Sequence, residues 1–323
     1  MTRGVERSLD TPDPDIVRGD SMATMTSSLT LPSEPMAHKR KNWLPLILTS
    51  PAILAIIGTM VPFVTAFYYS FTNYSIVKPE HKFVGLANYV KLFTDAEFQE
   101  VFGNSFLFAA ICLVCEVVLG LLIALLLNRQ VRGMGILRPL LLVPLMLPPV
   151  IAAMMWKTMF ASQSGPINYI FGLGNYAWFG SVWSSRFVVI MIEVWAATPF
   201  SALVLFAGLQ SLPKEPFEAA QVDGASRWFL LRRLTLPMLY PFILLVLMFR
   251  VVDVMQLFDI IYASTGGGPM FSTTTLPIYT YKEVFWYHNL GSAIAKLLIL
   301  WVVNYGLSFW LMARWRKSSL VMS

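Results

Sequence analysis

The chain has 323 residues, of which 56% are hydrophobic and only 13% charged, and its mean hydropathy is +0.63. A soluble domain carries roughly a quarter charged residues, so these proportions exclude a set of soluble domains, a largely disordered chain, a secreted disulfide scaffold and a nucleic-acid-binding module. They define an integral membrane protein, and its formal charge of +6 is of the kind that basic residues on cytoplasmic loops produce.

In chain order, residues 1–43 come first, as a polar tail of mixed charge on the cytoplasmic side. The stretch 1–38 is rich in Asp, Pro, Ser and Thr and has little to bury, which predicts disorder; Met22, Met25 and Met36 are alternative starts to Met1. Six apolar stretches follow, at residues 44–71, 104–127, 137–160, 187–209, 238–262 and 291–313. Each is long enough to cross about 30 Å of hydrocarbon, which takes about 20 helical residues. Their continuous apolarity, without alternation, predicts helices rather than a closed barrel. The first is too long and too deep in the chain for a cleaved signal peptide and reads as an uncleaved anchor. Cys112 and Cys115 have C-x-x-C spacing but lie inside the second run, where packing is expected rather than redox or metal chemistry.

The flanking basic residues set the orientation. Lys39, Arg40, Lys41, Arg129, Arg132, Arg138, Lys214, Arg227, Arg232, Arg233, Arg314, Arg316 and Lys317 fall on one side of the membrane, and only Lys78, Lys82, Lys91, Arg186 and Lys282 on the other. The richer side is predicted to be cytoplasmic, with both termini on it and residues 314–323 as a short cytoplasmic tail.

Charged residues inside the spans are the informative exceptions: Glu116, Lys157, Glu193, Arg250, Asp253, Asp259 and Lys296. Each costs about 2.5–3.5 kcal/mol at mid-bilayer on insertion scales, so each needs a partner, a cavity or the membrane edge. Lys157 lies near an outer end, where it can snorkel. Glu116 reads as one half of an interhelical pair. Arg250, Asp253, Gln256 and Asp259 recur every three residues, which on one helix makes a slowly wrapping polar ridge. The ridge is either a set of buried structural pairs or a polar pathway; its mixture of donors and acceptors suits a neutral polyhydroxylated solute as well as a charged one. With Glu193, these four are the candidate substrate-path residues.

Between the fourth and fifth spans, residues 210–236 form a cytoplasmic stretch with its own pattern. Pro216 suits the first turn of a helix, on which Glu218, Gln221, Val222 and Ala225 share a face. Asp223-Gly224 breaks that helix. A second short helix follows, apolar at Trp228, Phe229 and Leu231 and basic at Arg227, Arg232 and Arg233, and Pro237 is expected to close it before span five. The hairpin either lies on the membrane as an amphipathic element or fits a groove on another protein. Beyond span five, the glycines of residues 264–269 predict a flexible external turn, not a phosphate loop. No G-x-x-x-x-G-K-S/T, H-E-x-x-H or G-x-S-x-G sequence occurs, and there are only three histidines, so no catalytic or metal-binding residue is assigned.

Glu218-Ala219-Ala220-x-x-Asp223-Gly224-Ala225, followed by Leu236-Pro237, resembles the EAA loop of permease subunits in ABC importers, within them the carbohydrate importers typified by the maltose-system permeases. Phe83-Val84-Gly85-Leu86-x-Asn88-Tyr89, Asn104-Ser105 at the opening of span two, residues 124–128, and Pro144, Pro148, Trp156 and Phe160 are similar to the family's other motifs. Arg250-x-x-Asp253, Phe258-Asp259 and residues 265–269 resemble the sugar branch in particular. The resemblance covers about residues 44–313 and implies an all-α permease domain of six spans. Glu218, Ala219, Ala220, Asp223, Gly224 and Ala225 would then be the contact with the ATPase.

The resemblance also implies the partners: a second permease subunit, giving a heterodimer; two ATPase subunits that carry the ATP and Mg, with no cofactor on this chain; and an extracytoplasmic solute-binding protein that delivers a sugar or sugar-like solute. The location implied is the bacterial inner membrane, and the chain would be a transport subunit rather than an enzyme. Two rivals are an ion-coupled secondary transporter, which predicts an internal repeat that the chain does not show, and an assembly subunit that transports nothing, against which the polar ridge argues.

Overall fold

The computed structural model describes residues 43–78, 80–129 and 134–319. The predicted disorder of residues 1–38 and the expectations for Lys39, Arg40, Lys41, Arg132, the side chain of Arg138 and the tail's end from residue 320 lie outside the described residues. The chain divides into two compact units within its first helix, Met1–Ala55 and Ile56–Ser323.

The described residues are helical, and their only β-pairing is an isolated bridge between Thr72 and Phe83. The helices are α1 Leu44–Tyr69, α2 Ala87–Thr94, α3 Ala96–Leu127, α4 Met134–Met146, α5 Pro149–Met159, α6 Pro166–Ile170, α7 Val182–Ser211, α8 Glu215–Val222, α9 Arg227–Phe229, α10 Leu236–Met255, α11 Asp259–Ser264, α12 Leu276–Phe285 and α13 Leu290–Ser319. Five are long and apolar enough to cross a membrane, or six if the bent pair α4–α5 counts as one. In the larger unit the core is built by α3, α7 and α10, with α13 against α10 and α5 against α11. A Cβ on Gly120 would stand 2.8 Å from the Cβ of Ser201; glycine is what lets α3 and α7 approach so closely. Cys112 is buried in the apolar cluster that also holds Val251 and Val254, and Cys115 packs against that cluster.

Four expectations need correction. The third span is not one helix: α4 and α5 meet at an angle of 100°, because Pro148 and Pro149 force extended backbone before them (Pro148 ψ 135°). The fifth span stops at Met255, and Asp259 begins a new helix, so Gln256 and Asp259 do not continue a ridge from Arg250. Pro237 does not close the preceding helix; the chain runs from α9 through a π-helical turn, Leu230–Thr235, directly into α10. The wider π turn opens the ladder where Pro237 has no N–H to give.

The fourth correction concerns the glycine-rich external turn, which is wound tight. Thr273 Oγ1 donates to the Gly268 carbonyl and Thr274 Oγ1 to that of Gly267, both at 2.8 Å. The segment is also tied to the bundle. Asn104 and Ser105 lie well inside α3 rather than at its start. Asn104 Nδ2 donates to the Phe271 carbonyl (3.0 Å) and Ser105 Oγ accepts the Leu276 N–H (2.9 Å), while Arg186 donates to Asn104 Oδ1 (2.7 Å) and the Ser272 carbonyl (2.9 Å). The segment 83–89 is a clamp on the end of α1: Asn88 Nδ2 donates to the carbonyls of Ser70 (2.7 Å) and Thr72 (2.9 Å), and Tyr89 Oη to Ser70 Oγ (2.8 Å).

Candidate functional site: a buried arginine hub and an exposed turn

Two features stand apart from the apolar bundle. The first is a polar hub at Arg250. Its Nε donates to Glu116 Oε2 at 2.7 Å and its Nη2 to Glu116 Oε1 at 3.1 Å, the parallel fork that suits guanidinium to carboxylate. Nη2 also donates to Glu193, and Nη1 donates to Asp253 Oδ2 at 2.9 Å. Glu116 comes from α3, Glu193 from α7, and Arg250 and Asp253 from α10, so one side chain joins the three central helices. Glu116, Glu193 and Arg250 are all buried. Asp253 differs: 61% of its side chain is exposed. The hub has one formal positive charge and three negative ones, and Asp253 is the carboxylate that opens outward.

Among the predicted path residues, the structure brings Glu193, Arg250 and Asp253 together. Gln256 caps α10 and Asp259 opens α11; both are exposed and neither joins the hub. Glu116, read as half of an interhelical pair, is that, and it is the principal partner of Arg250. Lys157 is exposed and donates to the Ala263 carbonyl at 3.2 Å, at the end of α11. Lys296, in α13, is buried and pairs with Glu283 Oε2 at 2.9 Å. That pair could not be assembled from span positions, because Glu283 lies outside every predicted span; the signal available was that a buried lysine requires an anion.

The second feature is the turn between α7 and α10. Pro216 sits in the first turn of α8, which carries Glu218, Ala219 and Ala220 and has no buried residue. Asp223 is its C-cap. Gly224 follows at φ +77°, and the bonds Gly224 N–H to Gln221 O (3.0 Å) and Ala225 N–H to Ala220 O (2.9 Å) complete a Schellman motif. Ser226 then caps α9, its Oγ accepting the Phe229 N–H at 3.3 Å. Val222, Trp228 and Phe229 are left exposed on this turn. Nothing lies within 4 Å of where a Gly224 Cβ would stand, so the chain itself imposes no steric demand there; the positive φ does.

The geometry is that of a membrane-spanning helical bundle with buried ion pairs at its centre and a capped, exposed turn between two of its central helices. Residues 116–313 match the family described as binding-protein-dependent transport system inner membrane component. The chain is 36% identical over 294 residues to a probable ABC transporter permease protein of Sinorhizobium fredii, covering 86% of this chain and 94% of that one. It is 34% identical over 272 residues to the trehalose/maltose transport system permease protein of Thermococcus litoralis, covering 82% and 91%. Its fold is similar to a chain from a bacterial ABC transporter involved in the import of alginate, with a TM-score of 0.73 and 22% identity over 85% of this chain and 96% of that one.

The chain therefore belongs to the inner-membrane permease family of binding-protein-dependent ABC importers. It is a multi-pass transport subunit, not an enzyme.

Proposed function

We propose that the chain is one of two unlike permease subunits of a bacterial inner-membrane importer for a sugar or sugar-like solute. The permease domain is residues 44–313, six spans with α4 and α5 together forming the third. Both termini and the loop 210–236 face the cytoplasm, and residues 1–43 and 314–323 are tails. A solute-binding protein delivers the solute at the outer face. Two ATPase subunits supply the ATP and Mg chemistry, and α8 with its Gly224 turn docks on one of them. Trehalose and maltose in the name of the Thermococcus relative support a polyhydroxylated substrate.

One observation carries the coupling role: the exposed α8 turn joins α7 to α10, and the same two helices are fastened at mid-span by Glu193 and Arg250. A displacement of the turn is transmitted to the hub because neither helix can slide past the other without parting that pair. Asp253, the exposed carboxylate of the hub, offers hydrogen-bond acceptors to a solute. Arg250 holds the acidic side chains in place, since Glu116, Glu193 and Asp253 take four of its five N–H donors.

The test is reconstitution of the complex with its ATPases and binding protein in liposomes. The reading requires sugar uptake that depends on ATP and on the binding protein. Uptake driven by an ion gradient without ATP would overturn it.

A further inference from the structure

A second polar site lies at the other end of the bundle from the α8 turn. A cavity of about 320 Å³, open on one side, is lined by Asn73 and Tyr74 after α1, by α2 and the Asp95 junction that follows it, and by α12 and the start of α13. From Asp95, which caps α3, to Glu116 in the Arg250 hub is about 30 Å at the helical rise of ~1.5 Å per residue, so the two sites are separate. Of the side chains lining the cavity, Leu92 alone is aliphatic. The remainder are asparagines, a serine, two tyrosines and charges of both signs.

The cavity walls are fixed. Lys296, only 2% exposed, donates to Glu283 Oε2 at 2.9 Å and sits 4.1 Å from the ring centre of Tyr279. An ammonium has three N–H donors, and that carboxylate bond uses one. Asn289 donates to Glu283 Oε1 at 3.3 Å. Beside Lys296, Tyr279 Oη donates to Asp95 Oδ2 at 3.2 Å. Burial, and then the charges of Asp95 and Glu97, hold that phenol well above its ordinary pKa. Tyr74 stacks on Tyr69 with ring centres 4.5 Å apart.

We propose that this cavity, lined by Tyr74, Lys91, Tyr279, Asn289, Ser292 and Lys296, is a binding site for a neutral polyhydroxylated solute, distinct from the Arg250 hub. The chemistry selects that class. Acyl chains and detergents are refused by a wall with one aliphatic side chain. A strong anion meets Asp95 and Glu283, and a strong cation meets Lys91 and Lys296. Hydroxyl groups, each both donor and acceptor, satisfy both signs of wall at once, and tyrosine rings suit the C–H faces of a sugar. The volume is at the lower end of the roughly 300–1,000 Å³ range of small-molecule pockets, which matches one or two sugar rings. The site rests on the sugar-permease reading for its place in transport, as an outer station met before the hub.

The experiment is calorimetric titration of the assembled permease–ATPase complex in nanodiscs, without ATP or binding protein, using trehalose and maltose as probes. At least one disaccharide binds saturably. Ser292→Trp fills the cavity and weakens that binding at least tenfold. The exposed rim pair Asn73→Leu with Lys91→Met does the same without touching the buried ion pair, which keeps the test valid if Ser292→Trp does not assemble. Asp253→Asn lowers uptake but leaves this binding event in place.

An unchanged dissociation constant in both cavity variants overturns the site; if a separate co-purification with the binding protein shows that the same variants no longer dock it, the cavity is a protein contact. A complex that takes up either sugar but binds none also overturns it, and leaves the transport reading standing. Binding that the cavity variants abolish, in a complex that transports no sugar, supports the site and removes the transport reading.

Discussion

Arg250 on α10 meets Glu116 on α3 through two parallel hydrogen bonds, 2.7 and 3.1 Å long, with both side chains away from solvent. Removing one member of such a pair is far more damaging than replacing the whole set, because the surviving charge is left buried and unpaired. Arg250→Ala should cost about 3–5 kcal/mol of stability and lower the abundance of the protein in membranes. The combined variant Arg250→Met, Glu116→Gln, Glu193→Gln should recover most of that abundance. Thermal stability of the purified variants checks both. If Arg250→Ala is as stable as the parent, the hub is not the fastening described.

Asp253 should separate from the other hub residues. Its side chain is more exposed than buried, so Asp253→Asn should change stability by less than about 1 kcal/mol, as surface pairs do, while sugar uptake falls at least tenfold. Uptake normalised to membrane abundance is the measurement. Undiminished uptake would remove Asp253 from the solute path and leave it as a brace for Arg250.

The Gly224 turn has a conformational requirement and a proposed contact requirement, and substitutions distinguish them. Asparagine tolerates a left-handed backbone better than most residues, so Gly224→Asn should preserve the bend. Gly224→Val should not, since a β-branched residue is strained at φ +77°. Gly224→Asp adds bulk and negative charge where this chain has empty space. Co-purification of the ATPase, and ATP hydrolysis per assembled complex, should be nearly normal for Asn and lost for Val and Asp. Normal values for all three would show that this turn is not the coupling contact.

Topology is decided by the bent third span. Reporter fusions after Asn128 and Leu212 should report cytoplasm, and one near Gly174 the outside. If α4 and α5 instead dip in and return, Asn128 and Gly174 report the same side and the six-span arrangement fails.

The amino-acid sequence by itself determined the membrane class, the positions of the apolar runs and the character of the 210–236 turn. These are local properties. Hydropathy is summed along the chain, and the Asp223-Gly224 stop works through backbone bonds to residues three and five positions back. The bend at Pro148-Pro149 was also written locally, although apolarity alone joined its two halves into one span.

The end of span five was not: residues 250–265 contain neither Gly nor Pro. The helix ends where the Leu257 carbonyl is taken by Thr275 Oγ1 at 2.8 Å, a residue 18 positions away. Tertiary structure alone decided which buried charges meet. Glu116 lies 134 residues from Arg250 and Glu193 lies 57. Whether they converge depends on how α3, α7 and α10 rotate and cross, which the packing of Gly120 against Ser201 helps set. Sequence spacing reports the face a residue takes on its own helix; the helix it faces is fixed only when the apolar surfaces pack.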